Sequence, residues 1–389
     1  MKACGIVVEY NPFHNGHIYH VQQARTQSKS NVVIAVMSGN FLQRGEPAVI
    51  DKWQRAEAAL LNGVDLVVEL PIEWALQPAD YFAKGSIAIL QALGCESLCF
   101  GTDYDSTFDY QSYGQQMLIE KETIDALFKK LENQNQTYAE KMQLVMNQIF
   151  PEMGQQQANQ PNHVLGLSYS QENATYERPM RLLPIKRLAQ GYHSKSLEQE
   201  IASATAIREG LLKHAVIDHT VPQATLESLT HYHVFWQDFW PLLKYQLLVR
   251  SLTDLKQIYQ MSEGLEHRLK RSAQTANDFK QFIQQIKTKR YTQTRLQRLC
   301  CYVLLGITNE NMQTAWEQPI IHVLGFTEQG KNYLNQVKES VNLPIVSKIG
   351  KNEAKRWALN LTSDQIYQLA HPVIKEQNFG RFPIQIKNR

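Results

Sequence analysis

The sequence predicts an α/β fold, with a mostly parallel sheet covered by crossover helices and then a mostly helical region. Three observations carry this. Within the first hundred residues four short apolar runs, CGIVVEY (4–10), NVVIAVM (31–37), VDLVVELP (64–71) and ESLCFG (96–101), read as strands. The runs are continuous rather than alternating, as strands are when helices cover both faces, and amphipathic stretches at 16–27, 51–62 and 78–92 separate them at βαβ spacing. From about Ala215 the strand signals fade. Segments such as FWPLLKYQLLVRSLTDLKQIYQM (239–261) and DFKQFIQQIK (278–287) then carry apolar residues at helical spacing.

The remaining elements follow the same logic. MRLLPIKRL, from Met180 to Leu188, is a further apolar run and is expected to return as a late strand of the sheet. Before it, ENQNQTYAEKMQLVMNQIFPEMGQQQANQPNHVLG (132–166) is rich in Gln and Asn and reads as a helical insertion ending in a polar loop. No internal repeat is visible.

Composition bounds the function. With 389 residues and 43% hydrophobic content the chain has material for two or three packed domains. A formal charge of +3 does not by itself announce a nucleic-acid partner, so any basic surface must be local. No stretch approaches the roughly 20 apolar residues of a membrane span, and MKACGIVVEYNP runs into a strand pattern without a signal-peptide cleavage region. A cytoplasmic location without a membrane partner is the expectation. Cys4, Cys95, Cys99, Cys300 and Cys301 form no CxxC pair, which argues for reduced thiols and against a structural metal site.

EYNPFHNGHIYH (9–20) falls where the first strand gives way to the first helix. Its histidines have three possible uses: packing, a metal site built from Glu9, His14, His17 and His20, or a grip on phosphate. Position favours phosphate. Strand C-termini in a parallel sheet are where ligands bind, and a helix start presents unpaired N–H groups to an anion. Gly16 permits close backbone approach and Pro12 stiffens the turn. Imidazole donors one helical turn apart, at His14 and His17, suit oxygens that gain charge in a transition state. No GxGxxG follows the first strand, so the dinucleotide fingerprint is missing.

HNGH (14–17) resembles the HxGH motif of the nucleotidyltransferase and class I synthetase superfamily. The longer set VVEYNPFHNGHIYH, MSGNFLQRGEPAVIDKWQRAEAALLNGVDLVVELP, FGTD, LPIKRLAQGYHS, SATAIR and KTKRYTQTRLQRL is similar, over essentially the whole chain, to the bacterial tRNA(Met) cytidine acetate ligase family. The resemblance implies a Rossmann-like nucleotidyltransferase domain over 1–215, with a helical insertion at about 105–178, and a helical tRNA-binding domain over 216–389. It implies catalytic roles for His14 and His17. It also implies ATP contacts from Val7, Val8, Glu9, Tyr10, Asn11, Pro12, Phe13, His14, Asn15, Gly16, His17, Ile18, Tyr19 and His20, together with Gly101, Asn162 and Arg187. SATAIR resembles the second superfamily signature, so Ser203, Thr205 and Arg208 are expected at the outer phosphates. Ala204 stands where the wider superfamily often has a second serine.

Two other groups are singled out. Ser38, Asn40, Gln43 and Arg44 follow the second strand, at the same sheet edge as His14, where they are expected to frame acetate or the incoming cytidine; Asp51, Lys52 and Arg55 open the next helix. Around Tyr291 lie Lys287, Lys289, Arg290, Arg295 and Arg298. Helical phase from Thr294 turns Leu296, Leu299, Cys300 and Val303 inward and places Arg295, Arg298 and Tyr302 on the opposite face, where basic groups beside an aromatic suit RNA.

The activity implied is formation of acetyl-adenylate and pyrophosphate from acetate and ATP, the ATP carrying Mg²⁺, followed by acetyl transfer to N4 of the wobble cytidine of elongator tRNA(Met). The alternatives are another acyl-adenylating or adenylyl-transferring superfamily member, such as an acetate ligase for a protein-bound thiol, and a tRNA-binding protein without catalysis.

Overall fold

The computed structural model describes residues 1–105, 107–131, 138–149, 160–187, 197, 200–262 and 264–387. The polar loop expected at the end of the insertion, at 150–159, and the end of the late-strand motif, at 188–194, lie outside the described residues.

Five parallel strands form where the apolar runs predict them: β1 (Ala3–Val8), β2 (Val32–Ser38), β3 (Leu66–Leu70), β4 (Ser97–Thr102) and β5 (Arg181–Lys186). Every residue of β2 and β3 is buried, as the continuous runs require. The expected helices are present at Asn15–Ser28, Lys52–Leu61 and Ala79–Ala92, and the insertion supplies helices at Tyr110–Ile119, Lys121–Lys130, Tyr138–Ile149 and Pro161–Ala174.

Helices predominate after Ala215, as the fading strand signals imply, and three further strands that no run was singled out for join the sheet there. β6 (Ile321–Thr327) pairs antiparallel with β3, and β7 (Ile345–Val346) and β8 (Ile384–Ile386) pair parallel with β6. The order is β5-β4-β1-β2-β3-β6-β7, with β8 also on β6. The reason is partnering: a short apolar run such as IIHVLGF is locally ambiguous, and the exposed edge of β3 makes it a strand. The direction in which strands are added reverses between β1 and β4, which opens a crevice at their C-terminal ends.

Two buried cations on the first turn of Lys52–Leu61 tie this crevice to the rest of the chain. The Lys52 ammonium, fully buried, donates to both Glu69 oxygens at 2.9 Å and to Asp364 at 2.6 Å, while His322 of β6 meets Glu69 at 2.7 Å. Burial disfavours the ammonium, but the Asp364 and Glu69 carboxylates outweigh it and raise its pKa, so Lys52 is charged. Arg55, also fully buried, donates to the carbonyls of Ile50 (3.0 Å), Glu9 (2.7 Å), Ser38 (3.0 Å) and Gly39 (2.5 Å), pinning the chain where β1 and β2 end. Both open the helix after the second strand, and the structure uses them for architecture. Asp51, the N-cap, accepts from the amides of Trp53 and Gln54 at 2.8 and 3.0 Å, the ordinary role of an acid at a helix start.

Truncating Lys52 leaves two carboxylates buried without their cation. Lys52→Ala is therefore expected to lower stability by about 3–5 kcal/mol in urea denaturation. Lys2→Ala, which removes an exposed 3.8 Å pair with Glu96, should change it by under about 1 kcal/mol. Equal, small effects of the two would show that the buried network contributes little.

Candidate active site

The turn after β1 passes through Tyr10, at φ 53°, and reaches His14, the N-cap of Asn15–Ser28. The cap is made by the histidines themselves. The Gly16 amide donates to His14 Nδ1 at 3.1 Å and the His14 amide to His17 Nδ1 at 3.2 Å. With both Nδ1 atoms acting as acceptors, a neutral ring carries its proton on Nε2, so each histidine offers one N–H donor away from the helix. Burial, with Arg187 and Arg208 nearby, lowers His14 to about 3; burial, with His14, Arg187 and His20, holds His17 well below the ordinary value. The rings stack with centroids 3.7 Å apart. A Cβ on Gly16 would lie 2.9 Å from the His14 ring, which is why glycine separates the pair.

His20 differs. Its Nε2 lies 3.3 Å from the Cys99 carbonyl, and burial lowers it to about 4. Among the described residues no group of three or more His, Cys, Asp or Glu is placed to hold a metal ion. All five cysteines are buried and unpaired.

Above the histidines lies a cavity of about 550 Å³. It gathers most of the candidate nucleotide residues: Val7 to Asn11, His14, Gly16, His17, Tyr19 and His20, then Gly101 from β4, Asn162 from Pro161–Ala174, Arg187 after β5, and Ser203, Thr205 and Arg208 from the helix Ala204–Leu212. Pro12, Phe13, Asn15 and Ile18 do not line it. Phe13 and Ile18 pack in the core, and Asn15 donates to the carbonyls of Glu200 and His219 at 3.0 and 2.9 Å. Ser203 caps its helix by accepting from the Ala206 amide at 3.1 Å and still faces the cavity. Arg208 donates to the Asn11 carbonyl at 2.8 Å and pairs with Glu46 at 3.4 Å.

The group after β2 divides. Gln43 and Arg44 line the cavity, whereas Ser38 and Asn40 are buried away from it, Asn40 donating to Asp364 at 2.8 Å and Gln377 at 3.1 Å. The basic helix face is also corrected. Arg298 and Tyr302 are buried in the helix Gln293–Leu305: Arg298 donates to the Gln43 carbonyl at 3.2 Å and Tyr302 to the Leu76 carbonyl. For Arg298 the cause is close packing of the loop after β2. Gly45 there has φ 75°, and a Cβ on it would lie 2.2 Å from the Arg298 nitrogen. Tyr291 is buried, with the guanidinium groups of Arg295 and Arg290 at 4.6 and 5.4 Å from its ring, so its face is not open to a base. Arg295 also donates to Ser262 at 2.8 Å; Lys289 and Arg290 are exposed.

Sequence reasoning missed part of the wall. Leu42, Glu46, Phe82, Leu165 and Tyr169 line the cavity, as do Gln293, Thr294 and Gln297 from the helical region. Nothing local marks the last three, because only packing against the β2 loop brings them to the site.

The low value of His14 fixes a sign. Its pKa is about 3 when folded and 6.5 ordinarily, so as pH falls the unfolded chain takes the proton first. Its stabilising contribution is whole above about 6.5 and is lost progressively toward 3. His14→Asn, which keeps a cap acceptor, should make urea stability between pH 7 and 4.5 fall less steeply, by up to about 1.4 kcal/mol per pH unit. Identical slopes would contradict a buried neutral ring.

A family model described as HIGH Nucleotidyl Transferase matches residues 1–381. The tRNA(Met) cytidine acetate ligase of Latilactobacillus sakei is 43% identical over 99% of this chain and 97% of that protein; that of Limosilactobacillus reuteri is 41% identical over 99% and 100%. The crystal structure of Thermotoga maritima TmcAL bound with alpha-thio ATP is 29% identical, covers both chains fully and gives a TM-score of 0.88. With its histidine pair at the start of the first helix, its strand reversal beside that pair and relatives this similar along their whole length, the chain belongs to the HIGH nucleotidyl transferase family, among the tRNA(Met) cytidine acetate ligases.

Proposed function

We propose that this chain joins acetate to ATP and passes the acetyl group to N4 of the wobble cytidine of elongator tRNA(Met), in the cytoplasm. The observation that carries the reading is the pair of Nε2–H donors of His14 and His17, held neutral at a helix start over a cavity that also receives Gly101, Asn162, Arg187 and Arg208. The likeness to ligases of this name supports the substrates.

In the first step an acetate oxygen attacks the α-phosphorus of ATP, the bond to the β-phosphate breaks, and pyrophosphate leaves. Charge grows on the phosphate oxygens, where two donors that need no reorganisation are most effective. Neutral rings suit this role because they donate without offering a proton to the leaving group. In the second step N4 of cytosine attacks the acetyl carbon, the C–O bond to AMP breaks, and N4 loses one proton to solvent. Glu9, Glu46 and Glu209 line the cavity, but among the described residues no three such groups are placed to hold a metal ion, Glu9 accepting from the Gln43 amide at 2.7 Å and Glu46 pairing with Arg208, so Mg²⁺ would arrive on the phosphates of ATP. Lys289, Arg290 and Arg295 are the cations proposed for tRNA phosphates; Arg298 is reassigned to holding the Gln43 loop.

Labelled acetate, ATP and total tRNA should yield labelled N4-acetylcytidine on nucleoside mapping. His17→Ala should slow acetate-dependent ATP–pyrophosphate exchange by roughly 10²- to 10³-fold. An unchanged exchange rate would remove His17 from the chemistry. Lys289→Ala with Arg290→Ala should weaken tRNA binding and reduce its salt slope by about one unit for each phosphate no longer neutralised. An unaltered slope would make that rim merely solvated.

A further inference from the structure

The cavity is built from both parts of the chain, and its second wall comes from the helical region. That wall is the first turn of Gln293–Leu305, capped by Thr292, whose side chain accepts from the Arg295 amide at 3.3 Å. Gln293 is exposed, Thr294 half-buried and Gln297 only 8% exposed, so the turn runs from rim to interior while all three line the cavity. Although nine-tenths buried, the Gln297 side-chain amide has no hydrogen-bond partner among the described residues. Beside it the Gln43 side chain lines the same space, its backbone held by Glu9 and Arg298.

The Gln297 amide is therefore open to a ligand that enters the cavity. The wall carries no charged side chain of its own, so it does not suit a phosphate or carboxylate as well as the histidine end does. What it offers is an amide with one acceptor and two donors, beside the unsatisfied N–H groups of a helix start, which are donors of fixed direction. A cytosine edge matches this set: N4–H is a donor, and N3 and O2 are acceptors. Uracil presents N–H at position 3 in place of that acceptor and cannot accept from a backbone N–H there; the rotatable amide alone would accept either base.

Just before this turn come exposed Lys289 and Arg290, so a strand held there by its phosphates would present an unpaired base to the cavity. Resting on the function proposed above, we infer that Gln293, Thr294 and Gln297, with Gln43, form the seat of the extruded cytosine that receives the acetyl group. This seat is the specificity-determining part of the helical region, and it places N4 in the same cavity as the adenylate.

The test separates the two half-reactions. Wild type and Gln297→Ala are compared in acetate-dependent ATP–pyrophosphate exchange without RNA and in acetylation of tRNA, and the ratio of acetylation to exchange is read. The expected result is a fall in that ratio of about 10- to 100-fold, the cost of leaving a base edge unpaired. In a binding assay with anticodon stem-loops, wild type should prefer cytosine to uracil at the target position and Gln297→Ala should lose that preference. Retained exchange shows that the variant is folded. Exchange falling in step with acetylation would overturn the seat by assigning the wall to the adenylate, and acetylation unchanged in Gln297→Ala would overturn it alone. A wild-type chain that turns over ATP and acetate but modifies no tRNA cytidine would instead overturn the proposed function and the seat together.

Discussion

The architecture depends on one turn of helix carrying two buried cations. Lys52 and Arg55 point from the start of Lys52–Leu61 into the interior, and each is tolerable only because its donors are satisfied. Arg55 consumes the carbonyls that β1 and β2 release where they end, groups that would otherwise be buried unpaired. Lys52 gathers Glu69 of β3 and Asp364 of the helix Ala358–Gln368, with His322 of β6 on the same carboxylate. The strand ends that carry the site and the late segment that closes the sheet are thus held by the same helical turn.

The histidine cap shows how local structure and chemistry are made by the same atoms. A helix start leaves amides without partners, and Ser, Thr or Asp usually satisfies one of them. Here imidazole Nδ1 does so twice, which fixes the tautomer and directs both Nε2–H groups toward the cavity. Burial keeps the rings neutral, so capping and donation work in one protonation state. Gly16 belongs to this device, since any side chain there would press on the His14 ring.

Coupling between the two parts of the chain runs through the loop after β2. Its backbone is held from below by Arg55, from the helical region by Arg298 on Gln43 and by the Trp236 indole on Gly45 at 2.8 Å, and internally by Glu9 on the Gln43 amide. Phe41, Ile72 and Leu76 lie in the same apolar core as the helices beyond Tyr232. A displacement of the helical region would therefore move Gln43 and Arg44 and with them the geometry of the cavity.

Local sequence determined much of this protein. The continuous apolar runs specify buried parallel strands and HNGH specifies a histidine pair at a strand-to-helix turn, and five of the eight described strands and that pair were legible because each is encoded within about a dozen consecutive residues. What only the tertiary structure decided lies where a second surface arrives. Ile321–Thr327 became a strand because β3 had an open edge. Arg298, polar by helical phase, was buried because a glycine-containing loop packs on it, and Tyr302 because the segment at Leu76 and Tyr259 meets it; Asn40, Lys52 and Arg55 were drawn into the interior by Asp364 and by strand-end carbonyls. Gln297 entered the cavity by the same packing. Periodicity reports which face of an element is apolar, but only the assembled chain determines what meets its polar face, and there an unpaired buried group is too costly to leave without a partner.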